Sequence, residues 1–204
     1  LENSTASDLT AVGYGALNNN STGGNNTAVG SYALVNNTTA ANNTAVGYQA
    51  AYTSTTATEI TAVGYKALYA NTANSNTAVG ERAMQSNTTG TQQVAIGSYA
   101  LATNTTGNYN TSVGKNSLFT NTIGTSNTGL GHSALFSNTT GSNNTAVGYQ
   151  ASYNQTTTQN TTVVGYQAAY STTTGTVDAF GYQAGYSNTT GAVNTAIGVQ
   201  ALYS

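Results

Sequence analysis

The chain has 204 residues, of which only 4% are charged, and a net charge of −2 at pH 7; an ordinary soluble protein carries about 25% charged residues. Its three basic residues, Lys66, Arg82 and Lys115, are scattered along the sequence and cannot make the dense basic surface that neutralises nucleic-acid phosphates. With no cysteine for a disulfide or a zinc site, and no apolar run near the roughly 18 residues of a membrane helix, hydrogen-bond ladders and packing must hold the fold.

The opening segment, Leu1-Glu2-Asn3-Ser4-Thr5, carries no secretory leader and reads as a mature N-terminus or a fragment boundary. From there one unit recurs, marked by Gly13, Gly30, Gly47, Gly64, Gly80, Gly97, Gly114, Gly131, Gly148, Gly165, Gly181 and Gly198, with nine spacings of 17 residues and two of 16. Such spacing excludes a disordered low-complexity tract and predicts one repeat domain over residues 1–204. The residue before each glycine is apolar, from Val12 and Val29 through Ile96 and Leu130 to Phe180 and Ile197. The residue two before is small in every unit but one, where Val163 stands. Three before comes a threonine file, Thr10, Thr27, Thr44, Thr61, Thr77, Thr111, Thr128, Thr145, Thr162 and Thr195, interrupted by Val94 and Asp178.

Threonine and valine at alternate positions are a strand signature and share one face. After each glycine, Ala or Ser follows three residues on, often then Leu, and next Asn-Thr-Thr-Gly or a variant of it, as at Asn138-Thr139-Thr140-Gly141. That last segment is turn chemistry. Each unit therefore reads as strand, corner, short strand and turn. Stacked coils then form an all-β, parallel β-solenoid (β-roll) of about twelve 17-residue coils, a rod about 55–60 Å long at the usual strand spacing. The glycine marks a tight corner or a close backbone approach, and the two shortened units should lose their residue in a turn.

Val94-Ala95-Ile96-Gly97 and the repeated Asn-Thr-Ala-Val-Gly resemble the head repeat of trimeric autotransporter adhesins. The longer unit, with Gly-Tyr-Gln-Ala-Leu-Tyr-Ser-Asn-Thr-Thr-Gly as its pattern, resembles repeats of phage-type tail fibres and large bacterial surface proteins. The likeness runs through nearly the whole chain. It implies a left-handed roll, often trimeric, acting as a rigid spacer or adhesive head at a cell or virion surface. Two departures stand out: this unit is longer than the adhesin repeat, and Thr replaces an apolar residue three before the glycine.

Catalytic and metal chemistry find little to work with. His132, the only histidine, occupies a variable position after its glycine, and the acids Glu2, Asp8, Glu59, Glu81 and Asp178 are not paired within any coil. The expectation is a non-enzymatic protein without cofactor. Function is expected in files of side chains instead. The unbroken apolar file should be covered, by the coil interior or by a trimer; exposed and flat beside the threonines, it would suit ice. The asparagines Asn20, Asn37, Asn87, Asn104, Asn138 and Asn188 each open an Asn-x-Ser/Thr sequon, hence candidate glycosylation sites, or else an internal ladder capping the turns. Tyr14, Tyr48, Tyr65, Tyr149, Tyr166 and Tyr182 follow their glycines and suit sugar stacking or corner packing. The partners to expect are copies of the chain, as homotrimer or head-to-tail filament, with a host surface, a glycan or ice as possible targets.

Overall fold

The structure, a computed structural model, describes residues 4–203; Glu2 lies outside them. Twelve short strands follow one another: β1 (Thr10–Val12), β2 (Thr27–Val29), β3 (Thr44–Val46), β4 (Thr61–Val63), β5 (Thr77–Val79), β6 (Val94–Ile96), β7 (Thr111–Val113), β8 (Thr128–Leu130), β9 (Thr145–Val147), β10 (Thr162–Val164), β11 (Val177–Phe180) and β12 (Asn194–Ile197). They form one parallel sheet in sequence order. Thr10 pairs with Thr27, Ala11 with Ala28 and Val12 with Val29, and this register holds along the sheet. The all-β solenoid is therefore present, one strand per coil.

Among the described residues the expected second short strand is absent. The segment after each glycine places two residues in the left-handed region, such as Tyr32 and Leu34 in one coil and Gln150 and Ser152 in another, which bends it into a turn. Its backbone still bonds coil to coil, with the Leu34 amide donating to the Ala50 carbonyl at 3.0 Å and Leu118 to Ala134 at 2.9 Å. The left-handed conformation costs an L-residue about 1–2 kcal/mol. Burial repays it: Leu17, Leu34, Leu68, Leu101, Leu118 and Leu135 are fully buried, each worth about 1.5–3 kcal/mol.

The interior is thin, and that decides which side of each strand faces inward. A Cβ placed on Gly129 would lie 2.5 Å from the Ser117 hydroxyl and 3.3 Å from Leu118, so the middle strand position looks straight across the coil at the turn. Alanine fits there; the one β-branched residue of the column, Val163, is buried where Ser152 and Ala169 replace the usual leucine. Ala28, Ala45, Ala62, Ala78, Ala95 and Ala146 are wholly buried. In the coil of β8, Ser117 and Gly129 exchange volume: the Ser117 hydroxyl takes the missing methyl's place and donates to the Gly129 carbonyl at 2.9 Å.

The other end of each coil is filled by amides. One file of asparagines follows the repeat glycine by seven residues. Asn37 donates to Asn20 Oδ1 at 2.6 Å, and Asn104, Asn121 and Asn138 each donate to the asparagine one coil before at 2.8–2.9 Å. A second file precedes most of the strands: Asn26, Asn43, Asn110 and Asn127 accept the backbone N–H of the next coil at 2.9–3.0 Å and donate to its turn carbonyl at 2.7–2.9 Å. Both are buried, and hydrogen bonding removes the penalty that buried amides otherwise carry.

The invariant glycine has both suspected causes. Its φ lies between 121° and 145° in all twelve units, and a Cβ on Gly97 would sit 2.7 Å from the carbonyl carbon of Gly114. The shortened units keep strand register, since Thr61 pairs with Thr77 and Val163 with Ala179. In the first of them the loss lies in the turn, where Asn71 donates to Ala73 two residues on, a bond that spans three residues from Asn87 to Gly90.

Candidate functional site: the outward files

Because alanine takes the inner position, its two neighbours in each strand must point out. The threonine file stands on the outer face, with Thr10, Thr44, Thr111, Thr162 and Thr195 exposed and Thr27, Thr61, Thr77, Thr128 and Thr145 half-buried between neighbours. The apolar file runs beside it. Val46 is 36% exposed, Ile96 42% and Leu130 45%. The expectation that this file fills the coil interior is thereby corrected: it is a surface file, and the small residues form the inner one. Hydrophobicity argues for the reverse arrangement, but the width of the coil outweighs it.

Ten of the twelve strands pair an outward threonine with an apolar residue, valine in eight of them, and the pairs stay in register along β1 to β12. Two irregularities interrupt the face. Val94 replaces one hydroxyl by methyls, and Asp178 accepts the Thr162 backbone N–H at 2.8 Å, with Phe180 outward beside it. Asp178 is partly exposed, in keeping with the cost of burying a lone carboxylate.

The sequon asparagines divide. Asn20, Asn37, Asn87, Asn104 and Asn138 are at most 3% exposed and belong to the internal ladder, so the folded chain has no space for a glycan on them. Asn188 is half-buried, and its Oδ1 accepts the Gly191 N–H at 2.9 Å. Asn25, Asn42 and Asn143, which also open sequons, are exposed; they lie on the outer side of the turn before the strand.

The tyrosines after the glycine stack along the axis. His132, Tyr149, Tyr166 and Tyr182 follow one another at 5.2–5.3 Å between ring centroids, with interplanar angles of 8–18°. A second aromatic file, five residues after the glycine, escaped the sequence reading. Phe119, Phe136, Tyr153, Tyr170, Tyr186 and Tyr203 form an unbroken stack at 5.0–5.3 Å. Its signal was the fixed offset from the glycine. Within these stacks ring faces cover one another and leave ring edges outward, so a sugar stacked face-on lacks a platform along them. Between the files Gln167 donates to Gln150, Gln183 to Gln167 and Gln200 to Gln183 at 2.9–3.2 Å. Near the other end Tyr14 meets Tyr32 edge-on at 5.3 Å, and desolvation, followed by the charge of Tyr14, raises the Tyr32 phenol above its ordinary value.

Among the described residues, no three of His, Cys, Asp and Glu stand close enough to hold a metal ion, and no helix is long and apolar enough to cross a membrane. Comparisons with protein-family models, curated proteins and solved structures return no match for the chain.

Proposed function

We propose that the chain is a rigid rod segment of an extracellular fibre or adhesin, which displays its threonine-valine face and associates with copies of itself through it. The observation that carries this reading is axial lacing: the strand ladder runs through all twelve coils, and amide and aromatic stacks reinforce long stretches of it. A rod so laced bends little, and its stability accumulates along its length. The outward apolar file supports association, because a regular apolar stripe on a sheet face gains by being covered. Resemblance to adhesin heads and tail fibres favours a trimer.

Sedimentation velocity combined with negative-stain microscopy tests this. The expected particle is a straight rod about 55 Å long, with the mass of three chains at micromolar concentration. A monomer that stays monomeric up to millimolar concentration would remove the self-association, and a compact or flexible particle would remove the rod.

One observation favours a second reading, ice binding. Thr and Val files both face outward, in register, on a sheet with coil-to-coil repeat near 4.8 Å, and an ordered lattice of methyls and hydroxyls is what a crystal surface can match. On this reading the protein produces thermal hysteresis, abolished by Thr111→Tyr or Thr145→Tyr in the middle of the face. Unaltered ice growth with the native chain rejects it.

A further inference from the structure

The coils gather what the sequence scatters. All three basic side chains of this chain stand on one edge of the rod, in the two positions after the repeat glycine: Lys66 and Arg82 two after, Lys115 one after. His132, also one after, continues the line. Backbone bonds lace these segments into consecutive coils: Arg82 N–H to Tyr65 at 2.8 Å, Tyr99 to Glu81 at 2.8 Å, Asn116 to Ser98 at 3.0 Å and Ser133 to Lys115 at 2.9 Å. Lys66 to His132 thus spans four coil steps, about 19 Å at the usual strand spacing. The acids lie mostly elsewhere. Asp8 and Glu59 are on the turn before the strand and Asp178 is within β11; of the described acids, Glu81 alone shares the basic edge, 3.4 Å from the Tyr99 hydroxyl.

The cations there are held but not neutralised. The Lys66 ammonium lies 5.4 Å from the Tyr65 ring centroid and 5.3 Å from that of Tyr69. The Arg82 guanidinium lies 5.5 Å from both Tyr65 and Tyr99. Ring faces fix these side chains in place and leave their donors free. Arg82 Nη1 donates to the Tyr99 hydroxyl at 2.6 Å, and its buried Nε has no partner; a guanidinium has five N–H donors to place. In a chain so poor in charge, this edge gathers every lysine and arginine.

We infer that this edge binds a linear acidic polysaccharide laid along the rod, its carboxylate or sulfate groups meeting Lys66, Arg82 and Lys115. Uncharged donors and acceptors beside the cations, among them Gln49, Ser98 and Asn116, suit sugar hydroxyls. Nucleic acid suits the edge less well. Its phosphates call for denser positive charge, and bases need open ring faces, which at Tyr65 are occupied by Tyr48 on one side and the two cations nearby.

Affinity electrophoresis of the full chain tests the inference with four probes: polygalacturonate, dextran sulfate, neutral dextran and a single-stranded oligothymidylate. The expected result is retardation by polygalacturonate, dextran sulfate or both, none by dextran, and weakening as salt is raised. Which acidic polymer acts tells carboxylate from sulfate. The variant Lys66→Gln/Arg82→Gln/Lys115→Tyr, built from residues other coils carry at these positions, should lose at least tenfold in affinity. Asn25→Asp/Asn42→Asp/Asn143→Asp has the same net charge as that variant but leaves the edge intact, and it should lose less than threefold. Retardation by dextran equal to that by the acidic polymers would overturn the inference. So would no binding to either acidic polymer, tighter binding of the oligonucleotide, or equal losses in the two variants. Sedimentation of each variant reports separately on the rod, so failure here leaves that reading standing.

Discussion

Asn121 donates its side-chain amide to Oδ1 of Asn104, one coil earlier, over 2.8 Å, and its own Oδ1 accepts from Asn138 at 2.8 Å. Each such rung satisfies an amide that water cannot reach, and each depends on the rung beside it. Asn121→Ala removes two rungs at once and strands Asn104 Oδ1. At about 1–3 kcal/mol for a buried group left unsatisfied, the expected loss is about 2–4 kcal/mol. Urea denaturation followed by circular dichroism checks it; a loss under 0.5 kcal/mol would mean the ladder contributes little.

The same ladder predicts a stabilising change. Asn37 Oδ1 is buried without a partner, because the next coil carries Ser54 in place of asparagine. Ser54→Asn restores a donor between Asn37 and Asn71. A gain of about 1 kcal/mol per rung corresponds to a rise in Tm of about 2–4 °C per kcal/mol at this chain length. Scanning calorimetry decides, and an unchanged or lowered Tm would show that Ser54, which donates to the Asn71 carbonyl at 2.9 Å, already fills the place.

Two glycines separate conformation from contact. Gly97 and Gly198 have φ of 133° and 121°. A Cβ on Gly97 strikes Gly114, whereas one on Gly198 meets nothing within 4 Å. Gly198→Ala should cost only backbone strain, about 1–3 kcal/mol. Gly97→Ala must also push two coils apart and should cost at least about 2 kcal/mol more, among the large effects of single substitutions. Equal effects in thermal melts would assign the glycine to φ alone.

Adjacent residues of β6 should respond in an order opposite to hydrophobicity. Ala95 is fully buried and Ile96 is 42% exposed. Ala95→Leu overpacks the thin interior and should cost about 1–3 kcal/mol or more. Ile96→Thr on the dilute monomer should cost under about 0.5 kcal/mol. Repeated at a concentration where chains associate, Ile96→Thr should weaken the assembly; if it instead destabilises the dilute monomer by more than 2 kcal/mol, the file is internal after all.

Much of this was legible in the residues. The glycine interval carries the coil, the alternation of Thr10 and Val12 carries their common face, and the turn asparagines suggested a ladder. Periodicity cannot say which of two faces is inner. Val147 outranks Ala146 in hydrophobicity, yet Ala146 is inside, because the opposing turn with its buried leucine leaves little room; the one larger residue of the column, Val163, stands where Ser152 and Ala169 take the leucine's place. The prevailing smallness of that column was the available clue. Asn104 and its neighbours look like exposed sequons for a related reason: an amide is costly to bury alone and acceptable in a stack, and stacking belongs to the assembled coils. The charges of Lys66, Arg82 and Lys115 seemed dispersed because sequence distance is no guide to distance along a rod that advances one strand spacing per unit.

The two shortened coils have a consequence for how such a molecule varies. Register is kept from strand to strand while a turn gives up a residue, so the joint between coils accepts any neighbour that brings the same glycine and the same inward amides. Removing one whole unit, for instance residues 132–148, rejoins Gly131 to Tyr149 and keeps the strand, glycine and aromatic files in step, with Gln155 then facing Asn121 as it now faces Asn138. Length is then quantised: duplication or loss of a unit changes the reach of the rod by one coil, about 4.8 Å, and partners change only at the rejoined joint, where each residue meets the same column of the next coil.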